Sequence, residues 1–205
     1  MSLLADNNNS DASSALKLGT DDLHRQVEAS IDWKANLEGL GSYRQFLGKV
    51  NYFLAPTDRI IENHFGESAD WFKTRRTSAW AKSDLDDLAA AHTGMEPFRH
   101  PDPQTADQLY LWVKKPADAA GILYVLEGST MGSQFLCKLA SANFDSTVDA
   151  PVKFLNAYGK DTARRWQVTK HWLDGFLRSE DEIATAVHAA RRMFQIYGDQ
   201  LSCRK

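Results

Sequence analysis

Apolar residues return every three or four positions along almost the whole chain, the spacing of one face of an α-helix. Leu16, Leu23, Val27 and Ile31 keep that spacing early, Phe46, Val50 and Phe53 follow, and Ile183, Val187, Met193 and Phe194 keep it near the end. No stretch alternates apolar and polar residues as a half-buried strand does, and the sequence holds no Asn-Gly turn and no internal repeat. The pattern predicts an all-α fold, a single-domain multi-helical bundle of seven or eight helices. A chain of 205 residues suits one domain, and 43% hydrophobic against 25% charged residues can fill one core.

The helix ends are read from local chemistry. Ser42 with Gln45, Thr105 with Gln108, and Ser179 with Glu182 have capping-box spacing, in which two backbone N–H groups are satisfied reciprocally. Ser83 is expected to cap a helix carrying Leu85 and Leu88. The Thr105 box is expected to open a helix with Leu109, Trp112 and Val113. Pro56 should kink or end the helix it interrupts. Pro116 stops one helix and stands just ahead of another, over about 117–143, and a further helix is expected over 162–176. Residues 67–80 and 94–104 read as loops, the latter made irregular by Pro97, Pro101 and Pro103. Residues 1–13 are small and polar and read as a flexible tail, leaving 14–205 as the helical domain.

Composition excludes several classes of partner. Lys plus Arg is 24 and Asp plus Glu is 27, a net charge of -3, and Arg75-Arg76 and Arg164-Arg165 are too short for a nucleic-acid patch. No apolar run approaches the roughly 20 residues that cross a bilayer. The first residues lack the basic and apolar regions of a secretion signal. Cys137 and Cys203 make no disulfide or metal pattern. The expectation is a cytoplasmic protein with no nucleic-acid and no membrane partner. His64, His92, His100, His171 and His188 have no mutual ligand spacing and read as surface or loop residues.

Two segments break the local rules, and such breaks tend to mark function. In Gly128-Ser129-Thr130-Met131-Gly132-Ser133, two glycines sit four apart inside an otherwise apolar helical run. Each costs about 1 kcal/mol against Ala. Together they leave a strip without side chains on one helix face, able to bend. The strip suits either close packing on another helix or the approach of a large flat ligand to the backbone. In the second segment His24 lies at the edge of the Leu16, Leu23 and Val27 face, with Glu28 one turn on. Glu28 is placed to accept a hydrogen bond from one imidazole nitrogen, leaving the other for a metal. The plain alternative is a surface pair. The six Trp and ten Phe are mostly core, with Tyr124, Trp166 and Phe194 candidates for lining a site.

Taken together, the two segments resemble heme oxygenase. That family carries a Thr-x-x-x-His-x-x-x-Glu run, here Thr20 to Glu28, and a glycine-rich distal helix about a hundred residues later, here Tyr124 to Gln134. The Leu-Glu-Gly-Ser-Thr form looks most like the bacterial subgroup associated with bacteriophytochromes. Tyr158-Gly159, Trp166 and the closing aromatic helix look similar too, so the resemblance spans nearly the whole chain after the tail. It implies an all-α domain that opens heme to biliverdin, releasing CO and ferrous iron. The reaction uses O2 and electrons from a ferredoxin or reductase, and a bacteriophytochrome is an implied recipient of biliverdin. Heme would be both cofactor and substrate. The resemblance implies His24 as the iron (metal) ligand, Glu28 beside it, and Gly128 and Gly132 over the ring, with Ser129 and Ser133 completing the catalytic strip. Lys17 would face a propionate, and Tyr124, Phe194 and Arg192 would line the cofactor. Arg192 is favoured over Arg164, Arg165 and Arg191 for the second propionate.

The chain departs from the family pattern at two positions. Some members have Asp where Ser129 stands, and many have a further Gly where Ser133 stands, so Ser129 supplies no charge and Ser133 narrows the pocket. Two other readings therefore stay open. One is a heme-binding protein that has lost turnover. The other is a helical protein of the same fold that uses no heme.

Overall fold

The structure is a computed structural model and describes residues 11–66, 75, 77–91, 103–144 and 151–202. Helices follow one another as α1 (Ala12–Ser30), α2 (Trp33–Asn36), α3 (Leu40–Phe65), α4 (Thr77–Ala91), α5 (Pro103–Gln108), α6 (Pro116–Asn143), α7 (Lys153–Asn156), α8 (Thr162–Phe176) and α9 (Glu180–Leu201), with a 3-10 turn at Gly159–Asp161 before α8. Among the described residues there is no strand. The all-α expectation holds, with nine α-helical segments among those residues because two are single turns of four residues.

Several ends follow from the sequence chemistry. Pro116 opens α6, where its missing N–H is no loss. The Asp118 carboxylate accepts the backbone N–H groups of Lys114 and Lys115, both at 2.9 Å. The Ser179 box forms: Glu182 N donates to Ser179 Oγ at 3.2 Å and Ser179 N donates to Glu182 Oε2 at 3.0 Å.

Other expected ends do not form. α3 starts at Leu40, ahead of Ser42, and α4 starts at Thr77, so Ser83 is interior. Thr105 lies inside α5 and pairs with the Tyr52 hydroxyl at 2.7 Å, while residues 109–112 are turns. Pro56 does not end α3, which runs on to Phe65. Burial of Phe53, Leu54, Ile61 and Phe65 outweighs the roughly 3 kcal/mol that an interior proline costs. α1 reaches back to Ala12, into the segment read as tail. Ala12 is buried, and Ser13 donates to Asp174 on α8 through its N at 2.8 Å and its Oγ at 3.2 Å.

α9 is the helix on which the rest is arranged. α1 runs parallel to it: Gly19 faces Val187, Asp22 meets Arg191, His24 meets Phe194, and Gly198 faces Val27. α6 runs parallel to it as well, with Gly121 against Ala186, Ala189 and Ala190. A Cβ at Gly121 would overlap the Ala186 carbonyl oxygen and stand 2.8 Å from Ala189 Cβ, so the backbones themselves are in contact. Gly121→Ala should therefore destabilise the protein by about 2 kcal/mol or more, against the small gain in helix propensity, in urea denaturation. A change within 0.5 kcal/mol of zero would mean the two helices are free to separate.

Asp84 fastens the far side of the bundle. Its fully buried carboxylate accepts from Tyr43 OH at 3.1 Å, Lys153 N at 3.0 Å and Phe154 N at 2.9 Å, joining α3, α4 and α7. Burial pushes its pKa up to about 6, with the hydrogen bonds from Phe154, Lys153 and Tyr43 offsetting part of the rise. The folded state thus holds this proton more tightly than the unfolded chain does. Stability from this group is fully present below about pH 4 and is lost as the pH rises through 6. Denaturation curves measured across that window should show the decline in the parent, and Asp84→Asn should flatten it. An equal slope in both would assign the titration elsewhere.

Candidate functional site

The parallel run of α1 and α6 along α9 sets the geometry of the site. The two helices approach each other where the Tyr124 phenol comes near Thr20. Thr20 is itself buried, with its Oγ1 donating to Leu16 O at 2.7 Å. One turn on lie His24 on α1 and Gly128 on α6, and a second turn on lie Glu28 and Gly132. α8 runs the opposite way across the same level. Its Trp166 faces Gly128 and stands 5.4 Å from the Tyr124 ring. At its start, Gln134 Nε2 donates to Gly159 O and, at 3.1 Å, to Thr162 Oγ1. Four helices thus present His24, Gly128, Trp166 and Phe194 at one level.

His24 is 51% exposed, and its Nε2 lies 3.2 Å from Glu28 Oε1. Nδ1 has no protein hydrogen bond among the described residues. A half-turn of the ring exchanges the two nitrogens without moving its plane. Phe194 tilts against the imidazole, centroids 5.4 Å apart at 49°, and fixes that plane. Beneath the histidine, Arg191 grips Asp22 with two bonds of 2.6 and 2.9 Å and donates to Gly19 O at 2.6 Å, locking α1 to α9. The Arg191 guanidinium holds the Asp22 carboxyl down, to about 2.

On the opposite wall the two glycines differ. A Cβ at Gly128 would rest 3.5 Å from Trp166, an ordinary contact, whereas a Cβ at Gly132 would meet nothing within 4 Å. Gly132 borders open space, and Met131 and Phe135 on the same stretch are exposed. The small hydroxyls turn back on their own helix: Ser129 Oγ donates to Leu126 O at 2.8 Å, Thr130 Oγ1 to Glu127 O at 2.6 Å and Ser133 Oγ to Ser129 O at 3.1 Å. Such bonds compete with the helix ladder and ease bending. Burial pushes the Tyr197 phenol on α9 up to about 12.

The structure gives each of the four arginines considered for the propionates a neighbour of its own. Arg192 lies about 200° round α9 from Phe194 and stacks over Trp112 at 4.9 Å, on the side away from His24. Arg164 pairs with Asp161, Arg165 covers the Tyr158 ring, and Arg191 is held by Asp22. Each of the four thus already has a partner of its own. Lys17 on α1 and Lys170 on α8 are two further cations on the helices that carry His24 and Trp166. Lys17 is exposed two turns before His24, and Lys170 Nζ lies 5.8 Å over Trp166. Counting one turn from the Ser13–Asp174 contact along these antiparallel helices brings Lys17 level with Lys170. Lys170 is a candidate that the sequence reading did not name.

A second polar group lies under α6 and was missed as well. Arg75 donates from Nε to Glu127 Oε1 and from Nη1 to Asp58 Oδ1, each at 2.6 Å, and Tyr158 OH donates to Glu127 Oε1 at 3.1 Å. The signal was present: an acidic residue directly after the apolar run 122–126 demands a buried cation.

The arrangement fits a flat aromatic ligand with a metal centre and anionic groups on one edge. It offers an exposed imidazole with a free nitrogen, open space beside a bare backbone, aromatic rings between, and two ammonium groups at one end. Among the described residues no three His, Cys, Asp or Glu side chains gather round a point, so a bare metal ion has no ready cage. His64, His171 and His188 stand apart, while His92 and His100 lie outside the described residues. No helix among the described residues is long and apolar enough to cross a membrane.

Comparison with known proteins agrees with this geometry. A sequence profile for the family described as heme oxygenase matches residues 10–202. The heme oxygenase PigA of Pseudomonas aeruginosa is 26% identical over 191 residues, covering 92% of this chain and 90% of that protein. The structure of a heme oxygenase from Leptospira interrogans superposes with a TM-score of 0.74 at 17% identity, over 94% of this chain and 99% of that one.

Proposed function

The chain belongs to the heme oxygenase family, and from that premise we propose that it opens heme to biliverdin, with release of CO and ferrous iron, using O2 and electrons from an external donor. The observation that carries the reading is an exposed imidazole on α1 at the same level of the bundle as a bare stretch of α6 that borders open space at Gly132.

When bound, heme supplies the iron chemistry and is itself consumed, so the protein's contribution is placement. His24 would hold the iron from α1. Glu28, through its contact with the ring, would fix the imidazole orientation. Phe194 and Trp166 would hold a bound macrocycle by ring contact and exclude water from it. Lys17 and Lys170 would pair with its propionates and so orient it. Gly132, which borders open space, would leave room for the ligand and O2 beside the backbone of 128–132. Ser129 and Ser133 hold protons at hydroxyl oxygens on that side, in place of a carboxylate. Electrons would come from a ferredoxin or reductase and biliverdin would pass to a bacteriophytochrome, in a reducing cytoplasm that suits a chain with two cysteines.

Mixing the protein with hemin and adding ascorbate in air tests the proposal. A sharp Soret band should form, then fall as a broad red biliverdin band grows. A Soret band that persists under reductant would favour the heme-carrying reading, and no band at all would favour the heme-free one.

A further inference from the structure

The polar cluster beneath α6 has a defect. Arg75 and Glu127 are fully buried, with side chains 2% and 1% exposed. Yet among the described residues neither Arg75 Nη2 nor Glu127 Oε2 has a hydrogen-bond partner. Orphaned charged atoms in the interior cost several kcal/mol each. One is a donor and the other an acceptor. They belong to groups already joined through Nε and Oε1, so the two orphans lie on neighbouring parts of the same pair. A single water accepting from Nη2 and donating to Oε2 satisfies both.

The position of this cluster matters for the site. Residues 117–127 of α6 are buried without a break, and from Gly128 onward the helix turns largely to solvent. Glu127 is thus the last fixed residue before the strip. Its carboxylate is held by two groups, Arg75 before α4 and Tyr158 ahead of α8, and Asp58 on α3 holds Arg75 in turn. Ser78 N donates to Asp58 at 2.8 Å and completes the far end. The loop that aims Tyr158 is strained to do so: Ala157 has φ 46° and ψ -114°, and Gly159 has φ 56°. Backbone strain at a non-glycine residue persists where the surroundings over-determine it.

We infer that Arg75, Glu127 and Tyr158 enclose a water molecule between Arg75 Nη2 and Glu127 Oε2, and that this cluster is a positioning device fixing the point at which the strip 128–133 becomes free to move. Arg75 and Tyr158 act through Glu127 and touch no ligand. The functional consequence rests on the reading of the strip as the cover of the heme face, but the device itself is a property of the protein without heme.

Two measurements on the heme-free protein test it. A high-resolution crystal structure should show one water within hydrogen-bond distance of both orphan atoms. Direct pairing of those atoms with protein groups, or an empty gap, overturns the water. Amide hydrogen exchange should rise on the order of tenfold at 128–133 in Tyr158→Phe, and more in Glu127→Gln, while 117–126 keeps its protection. Tyr158→Phe keeps the ring against Trp80 and so should fold even if Glu127→Gln does not. Exchange that rises evenly along α6, or does not rise, overturns the positioning role. Hemin titration of the same variants separates the two readings. Absent binding in the parent alongside local exchange in the variants would sink the heme assignment and leave the device standing.

Discussion

His24→Ala should reduce biliverdin formation by more than about a hundredfold and abolish the axial-imidazole signature of the hemin-loaded protein, while leaving the fold intact. Loss of a group that merely orients a metal ligand costs about 10–100-fold, so loss of the ligand itself costs more. The fold survives because the imidazole is 51% exposed and its pair with Glu28 lies on the surface. An exposed i, i+4 pair contributes about 0.5 kcal/mol or less, and Ala is the better helix former. Thermal unfolding of the variant should therefore match the parent within a few degrees. Free imidazole should fill the gap left beside Phe194 and restore the spectrum. Glu28→Gln, which keeps a hydrogen-bonding group one turn away, should cost only about tenfold. An unchanged spectrum in His24→Ala would remove this residue from the iron and leave the crevice without its anchor.

The sequence showed the helices more clearly than their ends. Periodicity survives in the folded chain because the buried faces that produce it are what drive α1, α6 and α9 together. The capping boxes at Ser42 and Thr105 failed because a local cap contributes about 1 kcal/mol, and the burial of neighbouring apolar turns decides the boundary instead. Ser179 succeeded because α9 begins at an exposed corner where nothing competes. His24, Glu28, Gly128 and Gly132 were legible as departures from their own surroundings. The cations were not. Arginine reach depends on which face of α8 or α9 it leaves, and on aromatic neighbours such as Trp112 and Tyr158 that lie 80 residues and 7 residues away in the chain from Arg192 and Arg165. In the sequence Arg75 was only half of a short basic pair, yet it is the buried counter-charge of Glu127, a relation 52 residues long.

The glycines of α6 separate two explanations of the strip, room and flexibility, and substitutions at Gly132 distinguish them. A Cβ there meets nothing within 4 Å and the position is exposed, so Gly132→Ala and Gly132→Leu should both fold. Both should gain close to 1 kcal/mol of helix propensity, raising the midpoint of thermal unfolding by roughly 2–4 °C for a chain of this size. If the strip acts through flexibility, the two variants stiffen α6 alike and should lose turnover alike. If it acts by leaving room over the macrocycle, Ala intrudes by one methyl group and Leu by a branched chain, so Leu should lose far more. The open space beside Gly132 argues for room. Gly132→Leu should bind hemin at least tenfold more weakly and turn over more slowly still, although it is the more stable protein, the opposed signs expected where a site is kept open against the interest of the fold. Gly128→Ala provides the contrast, since its added methyl rests on Trp166 at an ordinary distance and should change hemin affinity little. Hemin titration and thermal unfolding of these three variants give the answer. A Gly132→Leu variant that binds and turns over like the parent would place the macrocycle elsewhere, and with it the role assigned to the bare face of α6.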